Sequence, residues 1–270
     1  MTWKIFNMNW RRELNNILML ATRDLLKFLR DKGRIVGTFI FPIVFLGIFA
    51  VTLDAGIGAQ QLGFSYVDYV FSGLILQTIF QSSFMGIVSL ITDREKDFSM
   101  SIFVSPISRA SIILGKILGE SFVGLAQVLG LMLFGFLVNV SFPLTTIFSA
   151  LPIIILASFV GGSMGILVAS RLDTPESAQR IFPFLVFPLI FLSGAFTPVN
   201  NLPFILDILK TINPLYYGVD LMRNILFMGR PEFDLVVSNP IWYDATIFMI
   251  LGLISFALGT WLFSSKEGNK

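Results

Sequence analysis

The chain has 270 residues, 55% of them hydrophobic and only 13% charged, with a formal net charge of +2. A soluble domain carries about twice that charged share, and a charge of +2 is too small to mark nucleic acid as a partner. There is no cysteine and no histidine, which excludes disulfides, thiol chemistry, histidine acid–base catalysis and zinc sites built on those ligands.

The first predicted element covers residues 10–34. At about 100° per residue, Arg12, Asn16, Arg23, Lys27, Arg30 and Arg34 fall on one face. Leu14, Ile17, Leu18, Ala21, Leu25, Phe28 and Leu29 fall on the other. This is an amphipathic helix with a basic side, suited to lying at a membrane surface with its cations toward anionic headgroups. It begins on charge rather than on the apolar run of a signal peptide.

Six apolar stretches follow, at residues 35–53, 70–91, 111–140, 151–169, 181–196 and 241–263. About 20 residues of helix rise ~30 Å, the thickness of a bilayer's hydrocarbon core. The expected fold is therefore an all-α integral membrane protein with six transmembrane helices in one domain, residues 1–270. The third stretch is fully apolar only from Phe122, and the fifth is short and interrupted by Pro183 and Pro188. The six cores are read as free of Asp, Glu, Lys and Arg, which disfavours an ion-coupled secondary transporter.

Lysine and arginine set the orientation. With the N-terminus inside, 16 of the 19 basic residues fall in inner segments, and only Lys210, Arg223 and Arg230 fall outside. Both termini are thus expected in the cytoplasm of a multi-pass plasma-membrane protein. Residues 197–240 form the extracytoplasmic region. There 202–212 and 215–227 are apolar, helical in pattern and too short to span, with Asn213-Pro214 between them. The pair is expected to form a re-entrant helical hairpin, its irregular backbone buried by protein.

Gln77 and Gln81 lie at i, i+4 in the second stretch, beside Thr78, Ser82 and Ser83. Amides in lipid require partners, so this face looks toward protein or a wet cavity, as helix–helix glue or as the lining of a substrate pathway. Ser193 is a further candidate for the pathway. Gly161 and Gly165 form a G-x-x-x-G packing face.

The cytoplasmic loop, residues 93–110, opens on Asp93, Arg94, Glu95, Lys96 and Asp97. Phe98, Ile102 and Phe103 form one apolar face of a short helix that Pro106 ends, after which Ser108 can cap the next helix. A rigid element of this kind, turned across the ends of two spans, offers a grip to a soluble partner. No phosphate-binding loop is present: Gly115-Lys116 is followed by Ile117, and no glycine stands five residues before Gly115. Any ATP hydrolysis must come from another chain.

Three segments together resemble the permease subunits of ABC-2-type ABC transporters. They are GFSYVDYVFSGL at residues 63–74, DREKDFSMSIFVSPISRASIILGK at 93–116, and SGAFTPVNNLPFILDILKTINPLYYGVDLMR at 193–223. The resemblance implies a coupling helix within 93–105, with Asp93, Arg94, Glu95, Phe98, Ile102, Phe103 and Pro106 contacting an ATPase subunit. Ser99, Met100 and Ser101 stand where many relatives carry Gly-Thr or an acidic residue. It also implies an interfacial connecting helix and a re-entrant pair around Asn213-Pro214. The implied assembly holds two permease subunits, the second an identical chain in the simplest case, and two ATPase subunits. It sits among membrane lipids, with no cofactor in this chain and Mg-ATP in the partner. The implied activity is export of a drug, lipid, glycan or peptide. The alternative class is an ATP-independent secondary transporter, or a membrane enzyme built on Asp68, Asp207 and Asp220.

Overall fold

The computed structural model describes residues 10–50, 52, 63–95, 109–138, 140, 146–172, 174–199 and 202–267. Every regular element among them is helical. Helix α1 (Trp10–Arg30) is followed by α2 (Lys32–Val44), which runs on into a π-helical turn (Phe45–Ala50). Then come α3 (Tyr66–Glu95), α4 (Arg109–Leu137), α5 (Thr146–Ala169) and α6 (Pro175–Leu192). The chain closes with α7 (Phe204–Thr211), α8 (Pro214–Leu226), α9 (Phe233–Val236) and α10 (Ile241–Glu267).

The boundaries have local causes. The expected helix over 10–34 stops at Arg30, because Asp31 leaves helical geometry (φ −89°, ψ 89°) and caps α2, accepting from Arg34 N at 2.9 Å. Arg34 consequently belongs to the next helix. Thr174 caps α6 through Ser177 N, with Pro175 in the first turn. At Asn213-Pro214 the helix breaks as expected: Asn213 Oδ1 accepts from Leu215 N at 3.0 Å, and Pro214 opens α8. Residues 96–108 lie outside the described residues, and with them Phe98, Ile102, Phe103 and Pro106. Asp93, Arg94 and Glu95 end α3.

Among the described residues, four helical stretches are long and apolar enough to cross a membrane: Tyr66–Ile87, Gly115–Leu137, Thr146–Ala169 and Phe233–Leu262. Helix α6 contributes a shorter apolar piece, Arg180–Leu192. Helix α3 is the axis of the fold, with 83% of its apolar window buried against 17% for the last stretch, which is peripheral. On α10 the indoles of Trp242 and Trp261 are both exposed, 68% and 64%. They lie 19 residues apart, about 28 Å along a helix axis, which matches two interfacial aromatic belts.

Close backbone approach joins α3 to α5. A Cβ on Gly161 would sit 2.5 Å from Phe80 O, and one on Gly165 2.6 Å from Phe84 O. The G-x-x-x-G spacing thus seats α5 directly on the α3 backbone.

The expectation of charge-free cores needs correction. Lys116 and Glu120 fall inside the stretch Gly115–Leu137 and are buried, at 5% and 0% exposure. Asp244 is likewise fully buried, at the start of α10. Lys116 and Glu120 are held by partners. Lys116 Nζ pairs with Asp24 Oδ2 of α1 at 3.0 Å, and Arg34 Nη2 of α2 pairs with Glu120 Oε2 at 3.1 Å. Asp24 sits on the face of α1 that carries Ala21 and Phe28, all three buried against the protein.

Candidate functional site

A cavity of about 800 Å³ opens between three elements. Helix α2 and the π turn contribute Arg34, Gly37, Thr38, Phe41 and Phe45. These recur at i, i+3, i+4, i+7 and i+11, so a single helical face supplies them. Helix α3 contributes Gln77, Thr78, Gln81, Ser82 and Met85, again one face, and α6 contributes Phe182, Val186, Phe187, Ile190 and Phe191. The volume is that of a site for a drug-sized molecule, and its apolar lining with a few polar groups is typical of such sites.

The cavity has two unlike ends. At one end Phe196 joins the three walls. Its ring centroid lies 4.3 Å from that of Phe45, 6.3 Å from Phe41 and 6.3 Å from Phe191. Tyr66 donates its hydroxyl to Phe196 O at 2.9 Å. The loop carrying Phe196 is pinned at Gly194, whose φ of 74° suits glycine. Gly194 O accepts from Tyr69 Oη at 3.0 Å and from Arg223 Nη2 at 2.6 Å. The Arg223 guanidinium also lies 3.7 Å from the centroid of the Tyr69 ring. An arginine of α8 therefore fixes the aromatic closure.

At the other end stands Arg34, the only charged residue in the lining among the described residues. Its partner Glu120 is completely buried and also accepts from Ser82 Oγ at 3.4 Å. Ser82 Oγ in turn accepts from Gln127 Nε2 at 3.0 Å. This chain ties α2, α3 and α4 together beside the cavity. Gly86 leaves the room for it, because a Cβ there would collide with the Glu120 carboxyl group.

Gln77 and Gln81 line the cavity. Gln77 is 4% exposed, and its Oε1 has no hydrogen-bond partner among the described residues. Ser193 is buried outside the lining: its hydroxyl donates to Ile190 O at 2.6 Å and accepts from Ala195 N at 3.2 Å, closing the turn after α6. Arg34, Glu120 and Phe196 were not picked out from sequence as site residues. The readable signal for Glu120 was the stripe Lys116, Glu120, Gln127 at i, i+4, i+11 in an otherwise apolar helix.

With that geometry in hand, the match to known proteins is decisive: residues 15–227 fit the family model for the ABC-2 type transporter. The chain belongs to the ABC-2 type transporter family. It is similar to the transport permease ycf38 of Cyanophora paradoxa, 27% identical over 91% of this chain and 88% of the relative. The inner membrane transport permease YadH of Escherichia coli K12 is 23% identical over 84% of this chain and 86% of its own. The multidrug ABC transporter permease YbhR of the same strain is 28% identical over 63% of this chain and 46% of its own length. In this ABC-2 chain the matched residues 15–227 include every residue lining the cavity, and its apolar helices make it a multi-pass membrane transport component.

Proposed function

We propose that this chain is the transmembrane subunit of an ATP-driven exporter and that the cavity between α2, α3 and α6 holds the substrate on its way across. The observation that carries the reading is the coincidence of family membership with an 800 Å³ cavity lined by Gln77 and Gln81. The two shorter elements, α2 with its π turn and α6, complete six spans, and α7 with α8 forms the re-entrant hairpin. Helix α7 supports this, since Phe204, Ile205 and Ile208 are exposed at 80%, 71% and 47% and require a non-aqueous neighbour. Both termini lie in the cytoplasm, and the membrane is the plasma membrane.

Two permease copies and two ATPase subunits make up the transporter, with Mg-ATP held in the ATPases. Segment 93–110 couples them through Asp93, Arg94, Glu95, Phe98, Ile102, Phe103 and Pro106. ATP favours one conformation by binding it more tightly, and the segment passes that preference to α3 and α4, which it joins.

Buried Glu120 removes the argument that a secondary transporter lacks an ionisable group in the membrane. The preference for ATP-driven export rests on the family. A membrane enzyme using Asp68, Asp207 and Asp220 gains no support from the geometry. Asp68 is paired with Arg230 at 2.8 Å, and Asp207 with Lys210 at 2.8 Å. Asp220 accepts from Ser238 N at 3.0 Å and Asn239 N at 2.8 Å.

The test is purification of the tagged chain in mild detergent. An ATP-hydrolysing subunit is expected to co-purify, and to be lost when Phe98, Ile102 and Phe103 are changed together to Asp. ATP hydrolysis by this chain alone, or retention of the ATPase by the triple variant, would contradict the reading.

A further inference from the structure

We infer that the cavity selects a compact amphiphile carrying one anionic group, with Arg34 binding the anion and the aromatic wall the apolar body. This rests on the cavity being the substrate chamber.

The chamber is polarised. Arg34 and Phe45 bound it along α2 and the π turn, 11 residues or about 16 Å apart at helical rise. Phe41, Phe45, Phe187 and Phe191 line the length away from Arg34. Among the described residues no acidic side chain lines it.

Arg34 uses only part of its fork on the protein. Nη2 contacts Glu120, and the guanidinium carbon lies 5.4 Å from the Phe28 ring centroid. Nε and Nη1 have no partner among the described residues, while the side chain is 30% exposed at the cavity. Guanidinium donors left open in an apolar enclosure match carboxylate or phosphate oxygens, where charge-assisted bonds are strong.

The charges packed behind Arg34 are themselves paired: Lys116 and Arg23 meet Asp24 at 3.0 and 3.1 Å. Glu120, held by Ser82 and packed on Gly86, occupies Nη2 and competes with a bound anion for the guanidinium charge. A volume of 800 Å³ fits a drug-sized molecule.

The test uses the full chain in neutral maltoside micelles and native mass spectrometry with dodecyl phosphate, dodecyltrimethylammonium and a diacyl phosphatidic acid. Dodecyl phosphate is expected to bind at least about tenfold more tightly than the ammonium. Arg34→Gln should erase that preference, Arg34→Lys, whose single nitrogen must serve Glu120 and ligand together, should reduce it, and Glu120→Gln, by freeing Nη2, should increase it. If Arg34→Gln does not fold, the opposed effects of Arg34→Lys and Glu120→Gln carry the decision.

Equal binding of the two C12 heads, or a preference that survives Arg34→Gln, overturns the anion assignment. Tighter binding of the phosphatidic acid than of dodecyl phosphate overturns the compact occupant. Gly37→Phe, which fills the chamber, should weaken both C12 probes. If it does so while head preference is absent, the anion inference fails and the chamber stands. If it changes neither probe, the chamber reading fails as well.

Discussion

Lys116 of α4 and Asp24 of α1 meet inside the protein, Nζ 3.0 Å from Oδ2, with side chains 6% and 3% exposed. Lys116 depends on that carboxylate, whose other oxygen, Oδ1, also takes Arg23 Nη2 at 3.1 Å. Lys116→Met removes one of the two cations on a buried carboxylate and should cost about 1–3 kcal/mol. Adding Asp24→Leu should recover most of that loss, since an apolar pair of similar volume has no charge to desolvate. Thermal unfolding of the single and double variants in detergent checks both steps.

Gly37 faces the cavity, and no described residue comes within 4 Å of where its Cβ would be. Gly37→Phe should therefore fold normally, and its helix should gain about 0.5 kcal/mol or less from losing a glycine. Its cost should appear only in transport, which a filled chamber blocks. A monodisperse elution profile together with lost substrate-stimulated ATPase activity of the assembled transporter is the expected pair of results.

Gly161 is the opposite case. A side chain there meets the backbone oxygen of Phe80 at 2.5 Å, which cannot move aside. Gly161→Leu should force α5 off α3 and abolish the monodisperse peak on size-exclusion chromatography. Gly37→Leu, assayed in parallel, should leave the peak intact.

Arg223 stacks on Tyr69 and donates to Gly194 O, bonds that Lys cannot reproduce together because it lacks the planar fork. Arg223→Lys should lower stability by about 2 kcal/mol. Its effect should be less than additive with Tyr69→Leu, which removes the same stack. A double-mutant cycle on thermal midpoints measures the coupling.

Features carried by one helix were readable in the chain. The i, i+4 pair Gln77 and Gln81 reports a face directed at a cavity, Asn213-Pro214 stops one helix and starts another, and Gly161 with Gly165 marks a packing seam. Features made by two distant helices were not readable. Arg34 and Glu120 are 86 positions apart, and no helical period relates them. Asp24 did leave a trace, a carboxylate at i, i+3 and i+7 with Ala21, Asp24 and Phe28. A wheel showing that residue as a flaw in an apolar stripe announces a buried partner without saying which. The end of α1 at Arg30 was hidden for a similar reason: Asp31 sits in a run of charges, where its capping role looks like ordinary surface polarity.

The cavity's role as an ATP-driven pathway is tested most directly by a single thiol. The chain has no cysteine, so Gln81→Cys places one reactive group in the chamber wall. In inside-out membrane vesicles containing the assembled transporter, a membrane-impermeant maleimide should label it in the absence of nucleotide. Trapping with ATP and vanadate should cut the labelling rate at least several-fold. Labelling at the same rate with and without trapped nucleotide would contradict the account.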